Sequence, residues 1–187
     1  MKNVKSNKME SEKLAYDYML QHATELNDKT AVRDLQKIDK NAFNFPNQKY
    51  LMTVRTSLMN KYGIGFAHEK IISTIDMAII ILLFKGYTLP EKINYVKGMM
   101  FSQATIWNDV IEDNFFESSA TFQIPVHITH GKYDYQVSYT LAREWFDKIE
   151  APQKSFFTLE NSAHGVIMEE PENFVQIIRN IAMKQEK

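Results

Sequence analysis

Up to about residue 118, apolar side chains recur every three or four positions, which is the spacing of amphipathic helices. One such stripe covers 14–26, and after the polar stretch NDKT a second covers 31–38. Pro46 opens a third helical pattern, whose apolar positions fall within 51–58. This half of the chain is therefore predicted to be helical, and none of its segments has a convincing strand pattern.

The segment 69–84 is the most apolar of the helical patterns, with an unbroken apolar run from Met77 to Phe84. A helix that is apolar on all sides is usually buried, so we expect this one to be buried on most sides. The next helix is predicted to begin at Thr88, because Glu91 three residues later completes a capping box. The apolar run is far shorter than the roughly 20 residues that cross a membrane, so no membrane association is expected.

From about residue 120 the pattern changes to short β-branched runs that alternate with helical stripes. IPVHITHG predicts a strand entered through a proline and left through a glycine, and KSFFTL predicts a second strand. The stripe 141–149 predicts a helix between them, and Pro171 opens a final helix. This order implies a parallel pair joined by a right-handed crossover. The prediction is an α/β protein with a helical region, 1–118, before a β-α-β-α unit, 119–187.

Composition narrows the classes of function. The 187 residues carry 22 basic and 23 acidic side chains, a net charge of −1, which gives no general attraction for nucleic acid. Cysteine is absent, which excludes disulfides, thiolate metal sites and cysteine nucleophiles and fits a cytoplasmic location. The initial stretch MKNVKSNKMESEK has no apolar segment of the kind that a secretory signal contains. We therefore expect a soluble, cytoplasmic protein.

Asp134 and His164 are the candidate catalytic residues, because each lies just past one of the two predicted strands. Loops at the carboxyl ends of parallel strands converge on one crevice, so the carboxylate and the imidazole can meet there. Asp134 would then orient His164, and His164 would take a proton from a nucleophile or water. For Asp134 alone, a structural role in a turn near Gly131 is an equally good interpretation.

His127 and His130 are weaker candidates. His127 falls within the predicted strand, and His130 lies at its end, where it can pack against the following loop. Together with His164 they could be taken for a metal site. Side chains of a strand alternate between its two faces, however, and no acidic cluster completes the set, so no metal or other cofactor is predicted.

The sequence IPVHITHGKYDYQVSYTLAREWF, followed by NSAHGVIMEEPENF, resembles the C-terminal part of α/β-hydrolases, in particular their prolyl-aminopeptidase-like branch. Residues 131–134 match the acid loop of that family, and 162–164 with Glu170-Pro171 match its histidine loop. INYVKGMMFSQATIWNDV resembles the helical lid that this branch inserts before its last two core strands. The resemblance implies a partial α/β-hydrolase fold, with 1–118 as the lid and 119–187 as the C-terminal part of the core.

The nucleophile of that family is a serine in a G-x-S-x-G motif, and this sequence does not contain the motif. It also lacks a glycine-rich stretch before the lid that could supply oxyanion donors. Ser102, Ser138 and Ser162 are alternative serines, but none lies on a tight turn between two glycines. The resemblance implies that the chain begins where the family's lid begins and is a very poor hydrolase alone.

Two classes of function remain open. The first is the acid-base and lid portion of a serine hydrolase, acting on an ester, amide or N-terminal peptide bond of a small molecule or short peptide. An aminopeptidase would also need a carboxylate for the substrate amine, but the available side chains are better explained as solvated helix charges: Glu69, Asp76, Glu112 and Asp113.

The second class is a non-catalytic or degenerate protein that binds a partner through its helical half. In both classes, a sheet of only two parallel strands would leave an open edge. We expect the chain to self-associate, or to dock onto a partner, through that edge.

Overall fold

The computed structural model describes residues 7–42, 45–68, 74–112, 114–118 and 120–185. Its first part is helical, as the apolar spacing predicts, and includes a single π-helical turn. The elements in order are α1 (Asn7–Glu25), α2 (Lys29–Gln36), α3 (Gln48–Tyr50), the π turn (Leu51–Arg55), α4 (Thr56–Lys61), α5 (Thr74–Leu83), α6 (Leu89–Glu112) and α7 (Phe115–Ser118).

The second part is a parallel strand pair with helices after each strand, again as predicted. Its elements are β1 (Val126–Gly131), α8 (Tyr139–Lys148), β2 (Lys154–Leu159), α9 (Val166–Glu169) and α10 (Pro171–Gln185). The register runs from Val126 opposite Lys154 to Gly131 opposite Leu159, so both strands end at the same edge. The short helix α9 has no counterpart in the sequence prediction. Among the described residues the fold is thus a mixed α/β arrangement with a two-stranded sheet.

The apolar core lies in the helical part, where α1 packs against α2 and against the segment from the π turn to residue 64. Tyr16 fixes the α1–α2 contact, because its hydroxyl donates to the carbonyl oxygen of Leu35 over 2.9 Å. Asp28 caps α2 by accepting from the amide of Ala31 and also accepts from the Tyr62 hydroxyl, which ties α2 to the end of α4. The side chains that are fully buried here include Met19, Leu35, Tyr50 and Ile64.

The expected burial of the 69–84 helix is wrong for the part that the structure describes. Leu83 on α5 is 69% exposed, and Phe101 on α6 is 71% exposed. An apolar helix is buried only where another apolar surface lies against it, and most side chains of α5 and α6 face solvent instead. One half of the capping box at the start of α6 is present, since Glu91 accepts from both the amide and the hydroxyl of Thr88 over 2.7 Å.

None of the described helices combines the length and the apolar character that crossing a bilayer requires.

Gly131, the last residue of β1, lies against the loop that follows β2. A Cβ at this position would stand 2.0 Å from the carbonyl oxygen of Ala163 and 2.5 Å from that of Ser162. Both are backbone atoms, so neither can rotate away as a side chain can. The absence of a side chain at Gly131 is therefore what allows the two loops after the strands to approach each other.

We expect Gly131→Ala to destabilise the protein by at least about 2 kcal/mol, because the backbone of the second loop must move away. Gly98→Ala is the matched control. Gly98 lies within α6, and outside the backbone of its own helix no described atom lies within 4 Å of its Cβ position, so the same change should stabilise the protein by about 0.5–1 kcal/mol. Urea unfolding measures both effects. Equal stability of the two variants would contradict the close approach.

Candidate active site

Asp134 lies in the turn between β1 and α8, where its carboxylate is almost fully buried, at 4% exposure. One oxygen, Oδ1, accepts from the backbone amides of Gln136 and Val137, each over 2.9 Å. Aspartates in turns commonly accept such bonds from the amides of the residues that follow, and these bonds stabilise the turn. Asp134 therefore stabilises its turn through Oδ1, and its second oxygen, Oδ2, is available for another partner.

His164 is that partner. Its Nδ1 lies 2.9 Å from Oδ2 of Asp134, although the two residues are thirty positions apart along the chain. The side chain of His164 is 38% exposed, so the imidazole has a buried side toward Asp134 and an open side. With Nδ1 turned to the carboxylate, Nε2 is the ring nitrogen on the opposite side of the ring. The two candidate residues are therefore brought together, with Nδ1 of the imidazole turned toward the carboxylate.

The electrostatics of the pair favour the protonated imidazole. The hydrogen bond with Asp134 raises the pKa of His164 above its ordinary value, and the charge of the carboxylate acts in the same direction. Burial and the positive charge of Lys8 oppose that increase in pKa. A base that gains a proton during a reaction would be stabilised here by the carboxylate behind it.

The segment 62–68, after α4, binds the backbone of both candidate loops. The amide of Tyr135 donates to the carbonyl of Ile64 over 3.1 Å, next to Asp134. The amides of His164 and Gly165 donate to the carbonyls of Gly65 and Phe66, over 3.2 and 2.7 Å. The helical part therefore fixes the candidate base directly. Sequence reasoning missed this contact, because backbone carbonyls leave no signal in side-chain chemistry.

Glu169 on α9 strengthens the same connection. Its carboxylate accepts from the amide of Ala163 over 2.8 Å and from the amide of His68. The imidazole of His68 in turn stacks on the ring of Tyr133, with centroids 3.5 Å apart and planes within 3°. Glu169 and His68 thus lie between the candidate acid loop, the candidate histidine loop and the helical part. The short helix α9 is the element that presents this carboxylate.

The three alternative serines lie in different settings, and of them Ser138 lines a cavity together with His164. Ser162 is fully buried, and its hydroxyl donates to the carboxylate of Glu170 over 2.7 Å. Ser138 is the N-cap of α8, where its oxygen accepts from the amide of Leu141 over 3.3 Å. Ser102 lies exposed on α6.

Glu170, which accepts from Ser162, has a lowered pKa. Its partial burial favours the protonated form, but the hydrogen bonds from Ser162, Asn173 and Asn161 prevail and lower the pKa of this carboxyl group.

The two histidines of β1 lie on opposite faces of the strand. His130 has Nδ1 3.0 Å from the carbonyl oxygen of Gly131 and Nε2 3.9 Å from Oδ2 of Asp134, so it stands beside the candidate pair. Within the described part of the chain, neither ring nitrogen of His127 has a hydrogen-bond partner. The described residues contain no group of three or more His, Asp or Glu side chains placed to hold a metal ion.

Of the carboxylates considered for a substrate amine, Asp76 lies exposed on α5. Glu69 and Asp113 lie outside the described residues, and the side chain of Glu112 is likewise not described.

A cavity of about 740 Å³ opens beside His164. Its walls come from the start of α1, from the face of β1 that carries His130, and from one side of α8. Because His164 lines this cavity, a molecule bound there would contact the imidazole.

Comparison with known proteins gives one weak likeness. No family model matches the chain, and no solved structure matches it. The chain is 28% identical over 116 residues to a protein of Bacillus subtilis (strain 168) described as the probable aminopeptidase YbaC. That match covers 61% of this chain and 36% of the relative, so the chain spans little more than a third of the relative's length. The likeness hints at a relation to hydrolases.

We expect Asp134→Asn to lower the pKa of His164, which NMR titration of the imidazole measures. The pKa of His164 is raised in the folded protein, so its bond with Asp134 stabilises the fold fully at a pH below the ordinary pKa of 6.5. This stabilisation is lost as the pH rises through the raised pKa. The stability lost in the variant should therefore be largest in acid and shrink as the pH rises. Asp147→Asn, an exposed carboxylate on α8, is the control and should leave the titration unchanged. An unaltered pKa in Asp134→Asn would contradict the pairing.

Proposed function

We propose that this chain carries the acid-base pair and the helical lid of a serine hydrolase of the α/β-hydrolase type. The bond hydrolysed is an ester, an amide or an N-terminal peptide bond. The observation that carries the proposal is the 2.9 Å contact between Nδ1 of His164 and Oδ2 of Asp134, formed where two parallel strands end together. The likeness to a probable aminopeptidase supports the same class.

In the proposed mechanism, Asp134 holds the imidazole of His164 with Nδ1 protonated. Nε2 then takes the proton of the attacking hydroxyl, and the resulting imidazolium is stabilised by the carboxylate. The imidazolium later returns that proton to the leaving group. The two backbone hydrogen bonds to its other oxygen hold the Asp134 carboxylate in place behind the ring.

The proposal assigns no nucleophile to these 187 residues. The sequence contains no G-x-S-x-G, and the hydroxyl of Ser162 already donates to Glu170. The serine and the oxyanion donors would come from other residues, which would have to reach the open side of His164. We further propose that the helices up to residue 118 act as the lid over that site. The large part of the B. subtilis relative outside the match is consistent with this division.

The availability of His164 as a base can be tested without any serine. 4-Nitrophenyl acetate is an activated ester that an imidazole hydrolyses directly. The chain should accelerate its hydrolysis, with a rate that rises as His164 loses its proton, and His164→Ala should remove most of this rate.

His22→Ala is the matched control for that experiment. His22 is also partly exposed and lies 3.8 Å from a carboxylate, that of Glu25, but it does not line the cavity. Its removal should leave the rate almost unchanged. Equal losses from the two variants, or no loss from His164→Ala, would refute a special role for His164.

The second candidate function is binding without catalysis, and one observation favours it. Apolar side chains of α5 and α6 are exposed along both helices, among them Ile80, Leu83, Met100 and Phe101. Contiguous exposed apolar surface commonly marks an interaction site. Together with the open sheet edge, this surface would lead to self-association or to a complex with a partner. Light scattering should then show more than one copy per particle, whereas a sharp monomer with cooperative melting would count against it.

A further inference from the structure

Asp134 has a second imidazole beside it, that of His130 near the end of β1. Nε2 of His130 lies 3.9 Å from Oδ2 of Asp134. This is the same oxygen that lies 2.9 Å from Nδ1 of His164. One carboxylate oxygen therefore faces two imidazoles, one carried by the strand and the other by the loop after β2.

The other ring nitrogen of His130 decides where its proton lies. Nδ1 is 3.0 Å from the carbonyl oxygen of Gly131, and a carbonyl oxygen can only accept a hydrogen bond. Nδ1 must therefore carry the proton, which leaves Nε2 of the neutral ring with a lone pair. A lone pair that faces a carboxylate oxygen makes no hydrogen bond, in agreement with the separation of 3.9 Å. A second proton, added at Nε2, would turn this contact into a charge-assisted hydrogen bond to Asp134.

Aromatic rings hold His130 in this orientation. Its ring lies nearly parallel to that of Phe156 on β2, with centroids 6.1 Å apart and planes at 16°. It meets the ring of Tyr139 on α8 edge-on, with centroids 5.7 Å apart. The Tyr139 hydroxyl is itself held by a hydrogen bond of 2.8 Å with Oγ1 of Thr158. The side chain of His130 is only 10% exposed, so these contacts keep Nε2 beside Asp134.

Cations near His130 come from three elements. Lys8 of α1 and Arg55 of the π turn line the same cavity as the two imidazoles. The guanidinium of Arg143 on α8 lies 4.6 Å from the centre of the β2 aromatic ring that His130 faces. These positive charges oppose a second proton on His130, whereas the carboxylate of Asp134 favours it.

The short helix α9 also packs against β1 and carries a carboxylate, that of Glu169. Its oxygens accept from the amides of Ala163 and His68. Asp134, in contrast, turns one oxygen toward the ring nitrogens of His130 and His164.

We infer that His130 is a positioning residue that shares Oδ2 of Asp134 with His164, and that a proton on either imidazole disfavours a proton on the other. Two imidazolium groups would need the same oxygen and would repel each other. When His130 is protonated, the carboxylate stabilises the imidazolium of His164 less. His164 then keeps its unprotonated, basic form down to a lower pH. The role of this sharing in catalysis rests on the proposed function.

NMR titration of the unaltered protein tests the sharing directly. Two coupled groups lose their protons over a wider range of pH than one isolated group. The curve of His164 should therefore be broader than a one-proton curve, with a Hill coefficient below one. A long-range proton–nitrogen spectrum should show neutral His130 protonated at Nδ1. A one-proton curve for His164, or neutral His130 protonated at Nε2, would overturn the inference.

Variants of β1 assign the effect to His130. His130→Phe keeps an aromatic ring against Phe156 and Tyr139 but cannot take up a proton. The curve of His164 should become a one-proton curve, and its pKa should rise by about 0.5 or more, because the competing charge is gone. His127→Phe makes the same change on the opposite face of the strand and should alter neither the shape nor the midpoint.

An unchanged curve in His130→Phe, or equal changes in the two variants, would count against the sharing. If His130→Phe does not fold, His130→Gln decides the shape of the curve, because an amide side chain does not titrate either.

Hydrolysis of 4-nitrophenyl acetate separates this inference from the proposed function. In His130→Phe, the midpoint of the pH–rate profile should move upward together with the titration of His164. If the titration changes as expected but His164→Ala does not affect the rate, the proposed function falls and the shared carboxylate stands. If the rate depends on His164 but the unaltered protein gives a one-proton curve, the proposed function stands and the sharing falls.

Discussion

The parallel register of β1 and β2 is the constraint on which the candidate site depends. Gly131 stands opposite Leu159, so the two loops that follow leave the sheet at the same edge. The amides of Lys132 and Tyr133 then donate to the carbonyls of Leu159 and Ser162, each over 3.0 Å, which continues the pairing past the strands. A shift of one residue would move Asp134 about 3.3 Å along the strand direction and separate it from His164.

The helical part is bound directly to the candidate site, because its segment 62–68 supplies the carbonyls that hold the histidine loop. The same part contains the buried group of Lys8, Glu12 and Arg55, in which the carboxylate is fully buried. Removing Glu12 would leave two largely buried cations without this carboxylate, and breaking a buried ion pair in this way commonly costs about 3–5 kcal/mol. The pair between Glu12 and Arg55 therefore ties α1 to the π turn.

The parts of the structure that follow from local chemistry could be predicted. Both strands, the start of α10 at Pro171 and the meeting of Asp134 with His164 follow from β-branched runs, a favoured proline position and the rule for parallel strands. The exposure of α5 could not be predicted, because apolar content reports a preference for burial and not whether a partner surface is present. The segment 62–68 holds the two candidate loops through backbone hydrogen bonds between distant parts of the chain, which no periodicity encodes.

In the proposed mechanism, Asp134 holds His164 with Nδ1 as the donor and Nε2 as the base. A long-range proton–nitrogen NMR spectrum, recorded at a pH where the imidazole is neutral, shows directly which ring nitrogen carries the proton. The account predicts that His164 is protonated at Nδ1, with Nε2 bare. Protonation at Nε2 would contradict it, since the imidazole could then neither donate to Asp134 through Nδ1 nor accept a proton at Nε2.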